Sequence, residues 1–482
     1  MKIKSISLLV FPLGLALLAL GILLWQAVPV RAEPAGTLYV APGGACSGTP
    51  NCYASVQAAV DAAASGDEIH VAAGTYTGVG VRSRNDITTT GVVTQVVYIS
   101  KTVTIRGGYN TDFSAWDPAV NVTTLDAQSE GRVIYITGDS SSTSPTIEGL
   151  SITGGDATGL TGYYYYGEHD VGGGVYVMTA TATLNNNQIF GNTAPYGGGG
   201  VYLGFSTGQL NGNTISDNTI NTGGGGVFLY KGAATLTGNQ IVSNISHNLG
   251  GGLYLFSTDA ALDGNTITGN TANVLGGGVD VASCSPTFSS NIISGNTART
   301  GGGLYLWYSE SILTNNVIAD NQATTAGSGL WIGASQPELL QTTVARNTGG
   351  DGSGILVTGN GSGTNSTVTM TNTIVVSHAV GVTVDAGSVV AVDGVLWFGN
   401  GTNTGGAGTA AVTHANTGDP AFTSDGYHLT VSSAAIDKGV DAGVTTDIDG
   451  QPRFGAADLG ADEYWPPGLP KYIYLPLVSR NQ

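Results

Sequence analysis

The residues of this chain best suited to chemistry are three carboxylates set among two columns of aromatic rings. Tyr176, Tyr202, Phe228, Tyr254, Tyr305 and Trp331 recur at near-constant spacing, and two residues further on stand Tyr230, Phe256 and Trp307. Both columns lose their rings together at one place, where Asp280 and Ala282 stand instead. A carboxylate at the floor of an aromatic notch can accept a sugar hydroxyl or serve as a general acid, while the flanking rings stack on the C–H faces of a sugar. Asp259 and Glu310 each follow a recurring glycine by seven residues, one repeat to either side of the notch. If repeats stack at the spacing of neighbouring strands, two steps separate these carboxylates by ~9.6 Å, near the gap of an inverting glycosidase pair. Repeat drift also scatters carboxylates, and same-face stacking of rings stabilises strands without any ligand. Asp280 lacks a convincing partner, so binding is favoured over catalysis.

These side chains are positioned by a repeat. A glycine run followed by aliphatic, aromatic and aliphatic residues closes at Gly174, Gly200, Gly226, Gly252, Gly278, Gly303, Gly329 and Gly354, at intervals of 25 or 26 residues. So regular a period means one supersecondary unit stacked many times, each unit covering the apolar face of the last. Within a repeat, apolar residues alternate over three to five positions, which is strand spacing, and glycine and asparagine interrupt too often for helices. Three short strands separated by turns account for one repeat. Since every coil runs the same way, the strands pair in parallel. If the aliphatic residues of each glycine-led strand face inward, its aromatics face outward and form an exposed ladder.

Further columns fix the register. Leu184, Leu210, Leu236, Leu262, Phe288, Leu313 and Leu339 precede a column of Ile189, Ile215, Ile241, Ile267, Ile293, Ile318 and Val344 by five residues. Asn187, Asn213, Asn239, Asn265, Asn291 and Asn316 form one polar column, which fails at Thr342, and Asn192 to Asn347 form another. Asparagine tolerates the left-handed conformation of a tight corner, and its amide can bond to the same residue one coil away. These columns are read as architecture.

The phrase Gly-Asn-Thr-Ile-Thr-Gly-Asn-Thr, followed by runs such as Gly-Gly-Gly-Val-Tyr-Leu, resembles the parallel β-helix repeats of the pectin-lyase-like superfamily. The resemblance implies an all-β, right-handed parallel β-helix over residues 67–410. That superfamily holds lyases, hydrolases, epimerases, phage tailspikes and non-enzymatic surface proteins, so the fold alone selects no activity. Residues 33–66 read as an N-terminal cap with a short helix from Ser55 to Ser65, its stripe Val56, Ala59, Val60 and Ala63 closing the open end of the stack. The cap sequence resembles the opening of secreted β-helix proteins. Residues 411–465, with Asp447-Ile448-Asp449-Gly450 and Asp458-Leu459-Gly460-Ala461-Asp462-Glu463, resemble the choice-of-anchor Q module of exported bacterial β-helix proteins, which implies surface attachment or sorting. Residues 466–482 are a proline-rich linker and tail.

Composition bounds the setting. Lys2 and Lys4 precede an apolar run from Ile6 to Trp25, and Val30-Arg31-Ala32 offers a cleavage site, so residues 1–32 read as a signal peptide, with an uncleaved membrane anchor as the alternative because about 20 apolar residues can span a bilayer. The mature chain is then expected outside the cell, secreted or on the surface, with no membrane span. Cys46 and Cys52 can close a small disulfide, leaving Cys284 as a buried, inert thiol. The net charge is −18, and loss of Lys2, Lys4 and Arg31 with the signal makes it −21, which excludes nucleic acid as a natural partner and disfavours polyuronates. Phosphate-loop, zinc and Ser-His-Asp signatures are absent from the sequence. The acidic C-terminal module makes calcium the one candidate ion, with Asp447 and Asp449 as its ligands; no other cofactor is indicated. The expected partner is an extracellular glycan or cell-envelope component, met by a monomer. The leading expectation is carbohydrate binding along the exposed ladder. A polysaccharide-degrading enzyme (a hydrolase before a lyase) and a purely structural adhesin or spacer are the alternatives.

Overall fold

The computed structural model describes residues 36–86, 89–138, 142–164 and 167–466. The expected signal peptide and the tail from 467 lie outside the described residues. The described chain is almost entirely β-structure, and its strands stack in parallel coils as the repeat predicts. In the coil that opens at Gly252 the strands are Leu253–Thr258, Ala261–Asp263, Thr266–Thr268 and Thr271–Ala272, before Val279–Ala282 begins the next coil. Each of the four pairs with its successor one coil on, as Leu253 with Val279, Ala261 with Thr287, Thr266 with Ile292 and Thr271 with Thr297. The sequence showed three of these strands; the fourth is two residues long, too short for alternation to register. Leu255, Leu262, Ile267, Val281, Phe288 and Ile293 point inward to one continuous core.

The corners are built differently from expectation. The asparagine columns are buried and bond along the stack: Asn239 donates from its backbone and its amide to Asn265 Oδ1, both at 2.9 Å, and its amide also donates to the Leu210 carbonyl at 2.8 Å. The left-handed backbone, however, falls one residue earlier, at Asn186, Gly212, Gly238, Gly264, Ser290, Asn315 and Gln341 in the first column. The column asparagine is therefore selected for its paired amide, and the residue before it absorbs the turn.

Pairing begins earlier and ends later than the repeat suggested. Thr37–Val40, inside the expected cap, pairs in parallel with Glu68–Ala72, and Thr409–Thr417 still pairs with Val389–Phe398. Ser55 caps the helix by accepting from the Ala58 amide at 3.2 Å, but the helix spans Val56–Ala62, three residues short of expectation. It stops because Asp67 takes the Ala64 amide at 2.8 Å while Lys101 Nζ caps the carbonyls of Val60 and Ala63 at 3.1 and 2.7 Å. Val56, Ala59, Val60 and Ala63 are buried against the first coils, as predicted. Beyond 417 the chain leaves the stack and lies along its side. Leu429, Ala435, Leu459 and Ala461 cover Val317, Ala319, Ile374, Val376 and Leu396, so residues 36–466 belong to one compact unit.

Candidate functional site

The aromatic columns do face away from the core, where they form an apolar cluster of their own. They are not exposed. Tyr176, Tyr202 and Phe228 are 0% accessible, Tyr230 1% and Tyr254 7%. The turn that leads into each glycine run folds over the rings. A Cβ on Gly197 would sit 2.7 Å from the Phe228 ring, and one on Gly223 2.7 Å from that of Tyr254, so only glycine lets the turn lie so close. Beneath this cover the rings stack, Phe228 on Tyr254 at 4.9 Å and Tyr230 on the half-buried Phe256 at 5.8 Å. The expectation that Tyr176, Tyr202, Phe228, Tyr230 and Tyr254 present rings to a ligand is thus corrected; they hold the cover to the sheet.

Asp280 pairs in register between Tyr254 and Tyr305, where the notch was expected. The covering turn supplies Gly197, Gly223 and Leu249 in consecutive coils, and the strand beneath supplies Phe228, Tyr254 and Asp280. By that register Leu249 stands over Asp280 as Gly197 stands over Phe228. A leucine replaces glycine where an aspartate replaces a ring, and the notch is filled. Asp280 is 1% accessible, and neither of its carboxylate oxygens has a hydrogen-bond partner among the described residues. Burial alone pushes its carboxyl up to about 8. A sugar cannot reach it, so Asp280 leaves the candidate catalytic set.

The exposed aromatic surface lies further along the stack. Trp331 stacks on Tyr305 at 4.4 Å, Trp307 lies 5.8 Å from Trp331, and Tyr308 packs edge-on against Trp307 at 4.8 Å. Trp331 leans across Gly333, where a Cβ would come within 2.2 Å of the indole. Tyr305 is 8% accessible, whereas Trp307 and Trp331 are half-buried and Tyr308 is 44% accessible. Tyr308 holds a left-handed backbone, φ 51°, and its hydroxyl accepts a 2.7 Å bond from the Asn360 amide. It forms the lip of a corner groove of about 430 Å³, whose walls include Ser283, Ser285, Glu310, Gln336 and Thr364.

Asp259 and Glu310 lie in one column at this corner, with Ser285 between them. Asp259 Oδ1 accepts from the Ser285 amide at 2.8 Å, and Ser285 Oγ accepts from the Glu310 amide at 3.0 Å. Both carboxylates are exposed, and Glu310 lines the groove. Cys284, also in the lining, occupies a column of Thr258, Ser309 and Ser335. Its thiol points to the Leu255 carbonyl at 3.5 Å and burial pushes it up to about 11, so it stays a thiol. Sequence reasoning passed over Tyr308 and Asn360. Tyr308 directly follows Trp307, but its corner column runs Thr179, Phe205, Lys231, Ser257, Ser283, Tyr308 and Ala334, with no fixed residue type to break; Asn360 sits in a loop where no period marks it.

In the C-terminal segment, Asp447 and Asp449 belong to different hydrogen-bond sets. Asp447 is buried and accepts the amides of Asp449 and Gln451 at 3.0 and 2.7 Å through Oδ1, closing a turn. Asp449 instead reaches His428 Nε2 at 3.0 Å. The expected calcium pair is therefore not assembled. Cys46 and Cys52 are joined as a disulfide.

The right-handed β-helix region family model matches residues 104–272 and 242–395. No curated protein matches the sequence. Among solved structures, the chain is similar to the pectate lyase Pel9A, at 13% identity and a TM-score of 0.41, covering 89% of this chain and 97% of that one. It is also similar to the catalytic unit of a thermostable GH87 alpha-1,3-glucanase from Streptomyces thermodiastaticus strain HF3-3, at 16% identity and a TM-score of 0.38, covering 80% of this chain and 69% of that one. Likenesses of this degree carry no activity across. The two family matches overlap and run through most of the coils described above; the chain belongs to the right-handed β-helix family.

Proposed function

We propose that the protein binds a neutral glycan outside the cell, and that it does so at the corner groove rather than along the whole ladder. The observation that carries this reading is Tyr308, a large aromatic side chain that is 44% accessible, pinned by Asn360 and set on the lip of the groove. The left-handed backbone belongs to the corner, since Thr179, Phe205, Lys231, Ser257, Ser283 and Ala334 share it one coil after another; within that column Tyr308 is the exposed ring, Phe205 being half-buried. Trp307 extends the platform, and Glu310, Gln336 and Ser285 supply the hydroxyl-binding groups a sugar needs. Export and a surface or secreted location belong to this proposal, in keeping with the disulfide and the N-terminal apolar run, as does attachment through the C-terminal segment. Glycan-array screening followed by titration calorimetry tests it with Tyr308→Gly. Glycine relieves the backbone and removes the ring, so binding falls several-fold while the thermal midpoint holds or rises. If no glycan binds the wild type, the structural-spacer reading takes its place.

A second reading, polysaccharide hydrolysis, is favoured by one observation, the shared column of Asp259 and Glu310. Their two-coil separation, ~9.6 Å by strand spacing, suits an acid and a base flanking a water. Release of reducing sugar by the wild type, abolished in Glu310→Gln, would establish it over simple binding.

A further inference from the structure

Residues 425–462 bring one imidazole and two carboxylates to a single point, away from the corner groove. His428, Asp449 and Asp462 each offer a ligand atom, and the three atoms lie within 4.8 Å of one another. They come from three separate stretches, each fixed independently. The turn that carries His428 is held by Asp425, whose Oδ1 accepts the amides of Tyr427 and His428, both at 3.1 Å. The turn that carries Asp449 is held by Asp447, as described above. Asp462 is 4% accessible and is locked beside His428 because its Oδ2 accepts the Leu429 amide at 2.6 Å.

Both nitrogens of the imidazole face carboxylates, so before an ion binds it is held as the cation, and a metal takes the place of the Nε2 proton. Nδ1 faces Asp425 Oδ2 at 2.6 Å, and Nε2 points to Asp449 Oδ2 at 3.0 Å. A histidine that ligates a metal through one nitrogen characteristically gives its other N–H to a carboxylate, which fixes the tautomer and raises the basicity of the ligating nitrogen. Ligands ~2.0–2.1 Å from a tetrahedral ion stand ~3.3 Å apart, so Nε2 and the Asp449 oxygen need only separate slightly to admit one. The donor set is also chemically selective. Calcium takes oxygen ligands almost exclusively, whereas one nitrogen with two carboxylate oxygens suits zinc and its first-row neighbours.

We propose that His428, Asp449 and Asp462 form a binding site for a divalent transition-metal ion of the zinc class, with Asp425 as the group that orients His428 and water completing the coordination. Such an ion ties three turns of the C-terminal segment together. The experiment is titration calorimetry of the tag-free full chain with Zn²⁺, Mn²⁺ and Ca²⁺, with the thermal midpoint followed in parallel. One zinc ion binds per chain, more tightly than calcium, and raises the midpoint. Asp449→Asn and His428→Gln abolish that rise and weaken zinc, and Asp425→Asn weakens it ~10–100-fold, as loss of an outer-shell partner does. Should His428→Gln fail to fold, Asp449→Asn decides, since the Asp449 side chain is exposed and the amide keeps its shape. The proposal is overturned if zinc does not saturate, if calcium is preferred, or if Asp449→Asn binds zinc as the wild type does. In any of these cases His428 is simply an ion-paired side chain.

Discussion

A carboxyl buried without a hydrogen-bond partner has to fold in its protonated form, and Asp280 is in that position. Below the ordinary carboxylate range both folded and unfolded chains hold the proton, and the residue leaves stability independent of pH. As pH rises from there towards about 8 the unfolded state releases its proton while the folded state keeps it, so stability falls over that window and then levels. Asp280→Asn removes the titration. The thermal midpoint of the wild type should therefore drop more than that of the variant between about pH 5 and about pH 8; equal drops would mean that Asp280 is paired or hydrated in solution. Chemistry at this residue was half legible in the sequence. That both aromatic columns break at Asp280 and Ala282 could be read directly, but the residue that fills the break, Leu249, lies in the preceding coil. Its covering role depends on how the turn folds over the strand, which no local pattern encodes.

The same pairing of turn and strand makes a prediction for the glycine-led face. Asp280→Tyr restores the ladder but drives a ring into the space of Leu249, and overpacking of this kind costs about 1–3 kcal/mol. Leu249→Gly on its own leaves Asp280 under an empty cover. The double variant recreates the Gly223–Tyr254 arrangement and should recover most of the loss, a coupling that a double-mutant cycle of urea midpoints would measure. The asparagine corners supply a second test. Asn265→Ala removes the acceptor of the Asn239 amide and backbone N–H and leaves the Leu236 carbonyl without the bond it accepts at 2.8 Å. At about 1–3 kcal/mol for each stranded buried group, that loss should be severe. Asn265→Thr should be milder, because Thr342 already holds the equivalent corner by donating to Leu340 and Leu313 at 3.0 and 3.4 Å. Similar urea midpoints for the two variants would show the ladder to be unimportant. At this scale the sequence was most informative: a column of like residues at a fixed period can only be a stack. What it hid were elements too short to alternate, such as Thr271–Ala272, and the left-handed residue, whose identity varies from glycine to glutamine because the corner imposes its backbone on whatever stands there.

For the whole molecule, the decisive feature is that the C-terminal segment extends the solenoid sideways instead of capping its end. The sequence marked a change of pattern near 411, and period alone could not say where the non-repeating chain would settle. Its seat is set by the stack. Asn315, a left-handed corner residue, donates to the Thr446 carbonyl at 2.8 Å, and Asn372, another, exchanges two bonds with Val440 at 2.7 and 2.8 Å. Arg453 is the hub of the segment. Its guanidinium donates to Glu463 at 3.1 Å, to Asn315 Oδ1 at 3.1 Å, and to the carbonyls of Gly460 and Ala461, each at 3.0 Å. The side chains of Arg453 and Glu463 are 4% and 1% accessible, so removing one partner leaves the other charged and buried, a loss of about 3–5 kcal/mol. Arg453→Ala should therefore release the segment without unwinding the coils, since Val317, Ile374 and Leu396 are held in the sheet by strand pairing that does not involve Arg453. Three measurements should agree: cleavage by protease within 418–466 becomes fast, a hydrophobic dye binds the uncovered face, and the far-ultraviolet β-signal is kept. Loss of that β-signal together with the cleavage would show instead that the lateral segment is needed for the solenoid itself to fold.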